Sequence, residues 1–439
     1  MGSLPDLDNP WRISTVVPAT PRDDRNAAFQ LNTMDLLVKL HYIRLVFLFD
    51  SLAAGGLSIY ELKKPMFPLL DPYAHVSGRI RRSESGRPFI KCNDAGVRIA
   101  ESRCDRTLQE WINDNRNGVV EGLVHDHVLG PDLAFSPLVF VKFTWFKCGG
   151  LSVGLSWAHV LGDAFSAFKF ISKWSQLLGG QALPKSLHMP NLPEPQISPN
   201  SISEDPPISI QGANIVGEYW LPAKDKDLAT HSFHITSEQL HHLVMVTSNQ
   251  ISYTTKKTSS YFDFISALLW KCIANIGDQN SGPKVVTICT SKTNRPENEF
   301  PTNDFLVFSK IESDFWVGKR EISELVKLIA ENKVVENPEI EKIVENDEGK
   351  EDYIVYGAKL TFVDLEEANA YDGVRLNGQK PIMANCAFHG VGDQGVVLVL
   401  PSPEDNDLDG GNGRIVTVSL PRDELDQLKD KLGGEWGIH

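Results

Sequence analysis

His159 and Asp163, set four apart in Ser156-Trp157-Ala158-His159-Val160-Leu161-Gly162-Asp163-Ala164-Phe165, are the residues whose types and spacing point most directly to chemistry. A neutral imidazole takes a proton from an attacking hydroxyl, amine or thiol, so His159 is a candidate general base. Asp163, one helical turn on, has two roles open to it: orienting the imidazole as the acid of a triad does, or turning aside to hold the loop through a basic partner. Spacing alone does not decide, because the chain holds a second H-x-x-x-D, His389-Gly390-Val391-Gly392-Asp393, in a glycine-rich turn. That turn also spells G-x-G-x-x-G through Gly390, Gly392 and Gly395. A dinucleotide fingerprint needs a helix after it, and here a strand from Val396 to Leu400 is expected. The second copy therefore reads as a loop.

Other chemistries fit less well. Gly154-Leu155-Ser156-Trp157-Ala158 lacks the second glycine of a nucleophile elbow. The pairs His125/His127 and His241/His242 have no matching cysteine or carboxylate set for a metal and read as surface or core histidines. The six cysteines, Cys92, Cys104, Cys148, Cys272, Cys289 and Cys386, stand far apart with no C-x-x-C pair. They suggest neither zinc nor a dense disulfide framework and fit a reducing compartment. No permanently bound cofactor is expected.

The elements that must hold His159 follow from periodicity. Leu151, Val153, Leu155 and Trp157 alternate with Ser152, Gly154 and Ser156 as in a strand, and Val139 to Lys147 precedes them across Gly149-Gly150, a hairpin signal. Phe165, Phe168, Ile171, Trp174 and Leu178 recur at three- and four-residue steps, one buried helix face. His159 thus stands where a strand ends and a helix begins, and the helix N-terminus is expected to keep the ring neutral. Tyr42 to Phe49 reads as a strand buried on both faces. Ser58 with Glu61, Thr236 with Gln239 and Ser260 with Asp263 open helices, the first disturbed by Pro65 and Pro68 and the last ended by Gly277. A further helix is expected from about Ser323 through Ile329, and the acid-rich stretch Glu336 to Asp352 reads as solvated surface. Gly395 to Leu400 and Ile415 to Leu420 are late strands around a loop at 404–413, before a terminal helix marked by Leu425, Leu428 and Leu432.

At 439 residues, 41% hydrophobic and 23% charged, the chain is too long for one compact core. Seven prolines from Pro184 to Pro207 mark an extended crossover. The predicted division is 1–183, a crossover 184–212, and 213–439. Strands come mostly in hairpins and the period switches often, which predicts a mixed α/β architecture. A net charge of -14 opposes nucleic-acid binding. Asp6 and Asp8 stand where a signal peptide needs basic residues, and the most apolar segment, Val38 to Phe49, is broken by Lys39, His41 and Arg44, short of the ~18 residues that span a bilayer. Membrane association is expected only through a partner.

The HVLGD stretch resembles the active-site motif of the plant BAHD acyltransferases. His75-Val76-Ser77-Gly78-Arg79, Asn93 to Ile99, the proline-rich crossover and Tyr261 to Trp270 fall in that family's order. Longer stretches look like its eceriferum/glossy-type branch, of plant cuticular wax synthesis: Met34 to Tyr42, Asp126 to Leu133, Phe146 to Leu151, Val216 to Trp220, and Gly390 to Asp393.

The resemblance implies two similarly sized α/β domains of the chloramphenicol-acetyltransferase type, with mixed sheets, flanking helices and a solvent channel at their interface. Acyl-CoA, the implied substrate or ligand, and an acceptor meet there at the motif histidine. This makes His159 the general base of an active enzyme and Asp163 a structural support of the motif. Two departures speak against conventional acyl transfer. The family's D-F-G-W-G, expected before Lys380-Pro381, is replaced by Arg375-Leu376-Asn377-Gly378-Gln379, and of its D-x-R-x-R element only Arg295 survives. The branch is associated with enabling the condensing enzyme of fatty-acid elongation, a 3-ketoacyl-CoA synthase at the endoplasmic reticulum, to make longer chains. The resemblance thus implies an accessory of that enzyme at the cytosolic face of the endoplasmic reticulum or in the cytoplasm. The alternatives are a CoA-dependent acyltransferase acting on an alcohol or amine, and a purely structural binding protein.

Overall fold

The computed structural model describes residues 12–21, 27–114, 120–182, 187, 206–248, 259–276, 282–291, 295–296, 299–403 and 413–439. Tyr42–Phe49, apolar but for Arg44, is the inner strand of a six-stranded mixed sheet. On one side it pairs antiparallel with Leu151–Ala158, Tyr42 opposite Ala158. On the other it pairs antiparallel with Met383–His389, Tyr42 opposite His389. A strand from late in the chain thus completes the first sheet. Val139–Phe146, parallel Val97–Cys104 and edge strand Arg12–Val16 extend it outward. Helix Ala164–Leu178 covers one face, with Phe168 edge-on to Phe47 and Phe170 against Trp157. Leu108, Trp111 and Phe146 pack with Val46 and Leu48 on the other. Coverage on both faces explains why the inner strand is apolar at every position but Arg44.

The second sheet has seven strands in the order Leu228–Ile235, Arg414–Pro421, Val396–Pro401, Thr361–Asp364, Val285–Ser291, Leu306–Glu312 and Val334–Val335. Helices Tyr261–Ala274, Ile322–Glu331 and Arg422–Trp436 cover one face. Strand Val396–Pro401 shows the logic of the layers. Val397 and Val399 join the helix-side core, while Val396, Leu398 and Leu400 join the core shared with the first sheet. Two mixed sheets with flanking helices therefore meet along a packed seam, the α/β architecture expected.

Local signals held where a side chain satisfies backbone groups. Ser58 with Glu61 and Ser260 with Asp263 form capping boxes, and the helix opened by Ser58 stops before Pro65, to resume as Met66–Leu70. The helix Tyr261–Ala274 ends on Asn275, and Gly277, expected to end it, lies outside the described residues. Most of the crossover (184–186, 188–205) and most of the loop at 404–413 also lie outside them. The acidic stretch from Glu336 departs from its expected exposure at both ends. Buried Glu336 accepts from the Ile208 and Ser209 N–H groups, and buried Asp352 pairs with Lys39 at 3.0 Å. Between them Glu345, Glu348 and Glu351 are exposed, as expected, while Glu339, Glu341 and Asp347 are half-buried. Among the described residues no helix is long and apolar enough to cross a membrane, and no cluster of three metal-ligating side chains occurs.

Candidate active site at the sheet seam

His159 directly follows strand Leu151–Ala158, in a single turn of 3-10 helix, His159–Leu161. Three contacts fix this turn: the His159 N–H donates to the His41 carbonyl at 3.1 Å, Asn303 Nδ2 donates to the His159 carbonyl at 2.9 Å, and Trp157 Nε1 donates to the Gly162 carbonyl at 3.0 Å. Gly162 has φ 142°, and a Cβ there would come within 2.9 Å of the Thr302 nitrogen. Only glycine fits so close a pass of the motif against the second half of the chain.

Asp163 is the N-cap of helix Ala164–Leu178, its Oδ1 accepting from the Ser166 N–H at 3.0 Å. Its remaining bonds come from Ser166 Oγ, from Ser291 Oγ at 2.9 Å and from both terminal nitrogens of Arg295, a fork on a carboxylate. None comes from His159. Burial would raise the Asp163 carboxyl, but the Arg295 guanidinium and these bonds outweigh it and hold it below the usual carboxylate range. Arg295 in turn lies over the rings of Phe165 and Phe305. The basic residue kept from the family element thus ties the motif to the second half; Lys292, Thr293 and Asn294 lie outside the described residues.

His159 is fully buried. Its Nε2 lies 3.0 Å from the Tyr356 hydroxyl, and the two rings stack at 21°. Phe388 closes on both, edge-on to Tyr356 at 4.6 Å and to His159 at 5.8 Å, and the Cys289 thiol lies beside the Tyr356 hydroxyl. His41 packs edge-on to Tyr356 from the other side and accepts the Val355 N–H through Nε2 at 3.1 Å. Between Asp163, Tyr356 and Phe388 the remaining cavity measures about 10 Å³, room for roughly one water. At His159 the seam is filled by side chains. Burial pushes the His159 pKa down to about 4. The ring is neutral as expected, but desolvation does this rather than a helix N-terminus, since the helix begins only after Asp163 and the Arg295 pair occupies its start.

The second H-x-x-x-D is assembled differently. His389 ends strand Met383–His389, burial pushes its pKa down to about 3, and Asp393 accepts the N–H groups of Asp225 and Lys226, each at 3.2 Å. In the stretch that stands for D-F-G-W-G, Leu376 and Gln379 bond each other across Asn377-Gly378, both with positive φ (48° and 80°). This is a primed turn. Asn377 Nδ2 donates to the carbonyls of Ala53 and Gly55, and Ser175 Oγ bonds Arg375 at 2.7 Å. A small self-satisfied turn, fastened to the first half, replaces the aromatic signature.

Two sheets meeting at a buried H-x-x-x-D on a strand-helix junction define the class. A family model described as Transferase family matches residues 11–433, and the chain belongs to that family, the BAHD acyltransferases. Within it, the chain is 41% identical to Protein ECERIFERUM 2 of Arabidopsis thaliana, over 96% of this chain and 97% of that protein. It is 36% identical to Protein ECERIFERUM 26 of the same plant, over 95% and 94%. Among solved structures, vinorine synthase shares the fold at TM-score 0.65 and 16% identity, over 97% of this chain and 98% of that one. TRI101 of F. graminearum complexed with coenzyme A and deoxynivalenol does so at TM-score 0.68 and 14% identity, over 92% and 97%.

Sequence reasoning did not assign site roles to His41, Asn303, Tyr356 or Phe388. His41 falls inside a family-like stretch, a signal without chemistry attached. Tyr356 lies 197 residues from His159 and carries no motif spacing, so only the fold brings the two rings together.

Proposed function

We propose that the protein is an accessory of very-long-chain fatty acid elongation in cuticular wax biosynthesis. It acts with an elongase condensing enzyme, a 3-ketoacyl-CoA synthase, at the cytosolic face of the endoplasmic reticulum. The observation that carries this reading is the seal on His159. A general base needs its ring nitrogen within reach of the acceptor's proton, and here Tyr356 holds Nε2 inside a wall of Phe388 and Cys289. The ECERIFERUM proteins among its relatives and the turn that replaces D-F-G-W-G support the same reading. Acyl-CoA is the ligand whose chain such an accessory handles, in keeping with the coenzyme A bound by TRI101.

One observation favours acyl transfer from acyl-CoA to an alcohol or amine as a second reading: His159 is neutral and its loop is rigidly held, as a general base requires. Co-expression with a condensing enzyme separates the two. Product chain length and CoA release are recorded for wild type and His159→Ala. Full chain extension by His159→Ala, without CoA release above background, is expected. Loss of extension by a stable, soluble His159→Ala protein would overturn the accessory reading in favour of catalysis.

A further inference from the structure

Three stretches singled out for resemblance rather than chemistry converge on one place bordering the motif. Arg44 lies two residues beyond Met34 to Tyr42, Asp126 opens the stretch to Leu133, and His389 immediately precedes Gly390 to Asp393. In the register of the first sheet, Arg44 stands opposite Ala387 and Tyr42 opposite His389. Arg44 and His389 therefore project from one face, while Phe388, which meets His159, projects from the other. On the Arg44 face they line a cavity of about 120 Å³ together with Lys224, Thr230, Ser232 and Ser419 of the second half.

The polar atoms of this cavity are unevenly satisfied. Arg44 pairs with Asp126, but the arginine side chain is 13% exposed and the aspartate 68%. The acid's charge is thus turned to water and screened, while the guanidinium is drawn inward. Among the described residues the buried Arg44 Nε–H has no hydrogen-bond partner, and neither has Nδ1 of His389. A buried donor left without an acceptor is unfavourable unless a ligand or water meets it. Lys224 brings a second cation to the lining beside Glu121, and among the described residues Asp393, Asp126 and Asp227 also act on its charge. Thr230 and Ser419 share a single hydrogen bond of 2.7 Å, which leaves the pair one O–H to donate. The neutral ring of His389 adds a group that can donate without adding charge.

We propose that this cavity is a binding site for a small oxyanion, held by Arg44 and Lys224 with a hydroxyl of the Thr230–Ser419 pair and the His389 ring. The volume suits it: a cavity of about 150 Å³ accommodates benzene, so this one has room for roughly five heavy atoms, those of a phosphate or a short carboxylate. The two share one chemistry, an anionic oxygen pair facing a guanidinium edge and an ammonium. The site borders the sealed motif, with Phe388 lining both, but its polar groups Arg44 and His389 lie on the opposite face of the sheet from the His159 contact.

Calorimetric titration of the purified full chain with inorganic phosphate and, separately, with butyrate tells the two sources apart, with chloride at matched ionic strength as control. One-to-one binding of either anion is expected, weakened roughly tenfold or more in Lys224→Ala and in His389→Gln, as loss of a charge-assisted or buried hydrogen bond predicts, and unchanged in His159→Gln. Lys224 is exposed, so its substitution leaves the fold intact. Absence of binding by both anions above the chloride control would overturn the proposal. So would binding that survives both Lys224→Ala and His389→Gln, or that is lost equally in His159→Gln.

Discussion

His159–Asp163 and His389–Asp393 share a spacing, a neutral histidine and an aspartate that accepts backbone N–H groups, yet the surroundings give them different roles. Asp163 is buried, forked by Arg295 and bonded to Ser166 and Ser291, so it binds the two halves of the molecule through a paired charge. Asp393, among the described residues, accepts two longer N–H bonds at 3.2 Å from the 225–226 segment and feels the charge of Lys224. The ring of His159 is met by a tyrosine hydroxyl at 3.0 Å, whereas Nδ1 of His389 has no hydrogen-bond partner among the described residues and its ring meets the edge of Tyr42 at 6.3 Å between centroids. Spacing and a neutral ring are thus common to both copies, while His159 is fully buried and His389 half-buried. What separates them is whether a guanidinium forks the aspartate and whether a tyrosine hydroxyl meets the imidazole.

The aspartates carry the largest expected difference. Removing one partner of a buried ion pair leaves the other charge uncompensated, which costs about 3–5 kcal/mol, whereas losing ordinary capping bonds costs about 1–2 kcal/mol. Asp163→Ala is therefore expected to lower the urea midpoint far more than Asp393→Ala. Equal losses would mean that the Arg295 fork contributes no more than a cap, and the contrast between the copies would collapse.

The histidines are expected to behave alike, which sharpens the contrast from the other side. Unfolded, each takes a proton near its ordinary value of about 6.5; folded, His159 does so only near 4 and His389 only near 3. Between those limits the unfolded chain binds more protons, so stability falls as pH drops from about 6.5 and the loss levels off below the folded pKa. For His159 the loss amounts to on the order of 3 kcal/mol at pH 4. Asp35 works in the opposite sense, because burial raises its carboxyl to about 7 and favours the folded state as pH falls. The observable is thus the difference between wild type and His159→Gln or His389→Gln in urea stability from pH 7 to 4.5. Each variant is expected to lose less stability over that range than wild type, and an unchanged pH slope would show that the ring in question is not buried neutral.

Legibility followed the range of each interaction. The hairpin across Gly149-Gly150, the helix after Asp163 and the capping boxes at Ser58 and Ser260 are written within a few residues, because turn geometry and orphan N–H groups are local problems. The layers were legible from periodicity, since Val396 to Leu400 is apolar at every position and can only lie between two cores. The strand that Met383–His389 adds to the first sheet was not, because register between segments so distant in the chain leaves no local mark. Glu336 and Asp352 misled for a related reason: composition reads as solvated surface until partners from elsewhere, the Ser209 hydroxyl and Lys39, remove the ends of the run from water. The candidate site divides the same way. His159 and Asp163 announce themselves by spacing, while Tyr356, which decides what the Nε2 of His159 can reach, is placed by the fold alone.

The smallest expected effect isolates that last contact. Tyr356→Phe keeps the ring packed on Phe388 and Phe308 and removes one buried hydrogen bond, a loss of about 1 kcal/mol. Combined with His159→Leu in a double-mutant cycle, it is expected to show a coupling of roughly 0.5–1.5 kcal/mol, because each change removes one end of the same bond. The matching cycle at the second copy, Tyr42→Phe with His389→Gln, is expected to show little coupling: the Tyr42 hydroxyl is bonded to the Leu129 N–H, and its ring meets His389 only by its edge. Both cycles are read from urea unfolding at pH 7, where the two imidazoles are neutral and charge plays no part. Coupling of similar size in both would mean that ring packing, and not the hydroxyl, joins Tyr356 to His159. The seal on the motif would then be steric, and Tyr356→Ala rather than Tyr356→Phe would be the substitution that opens it.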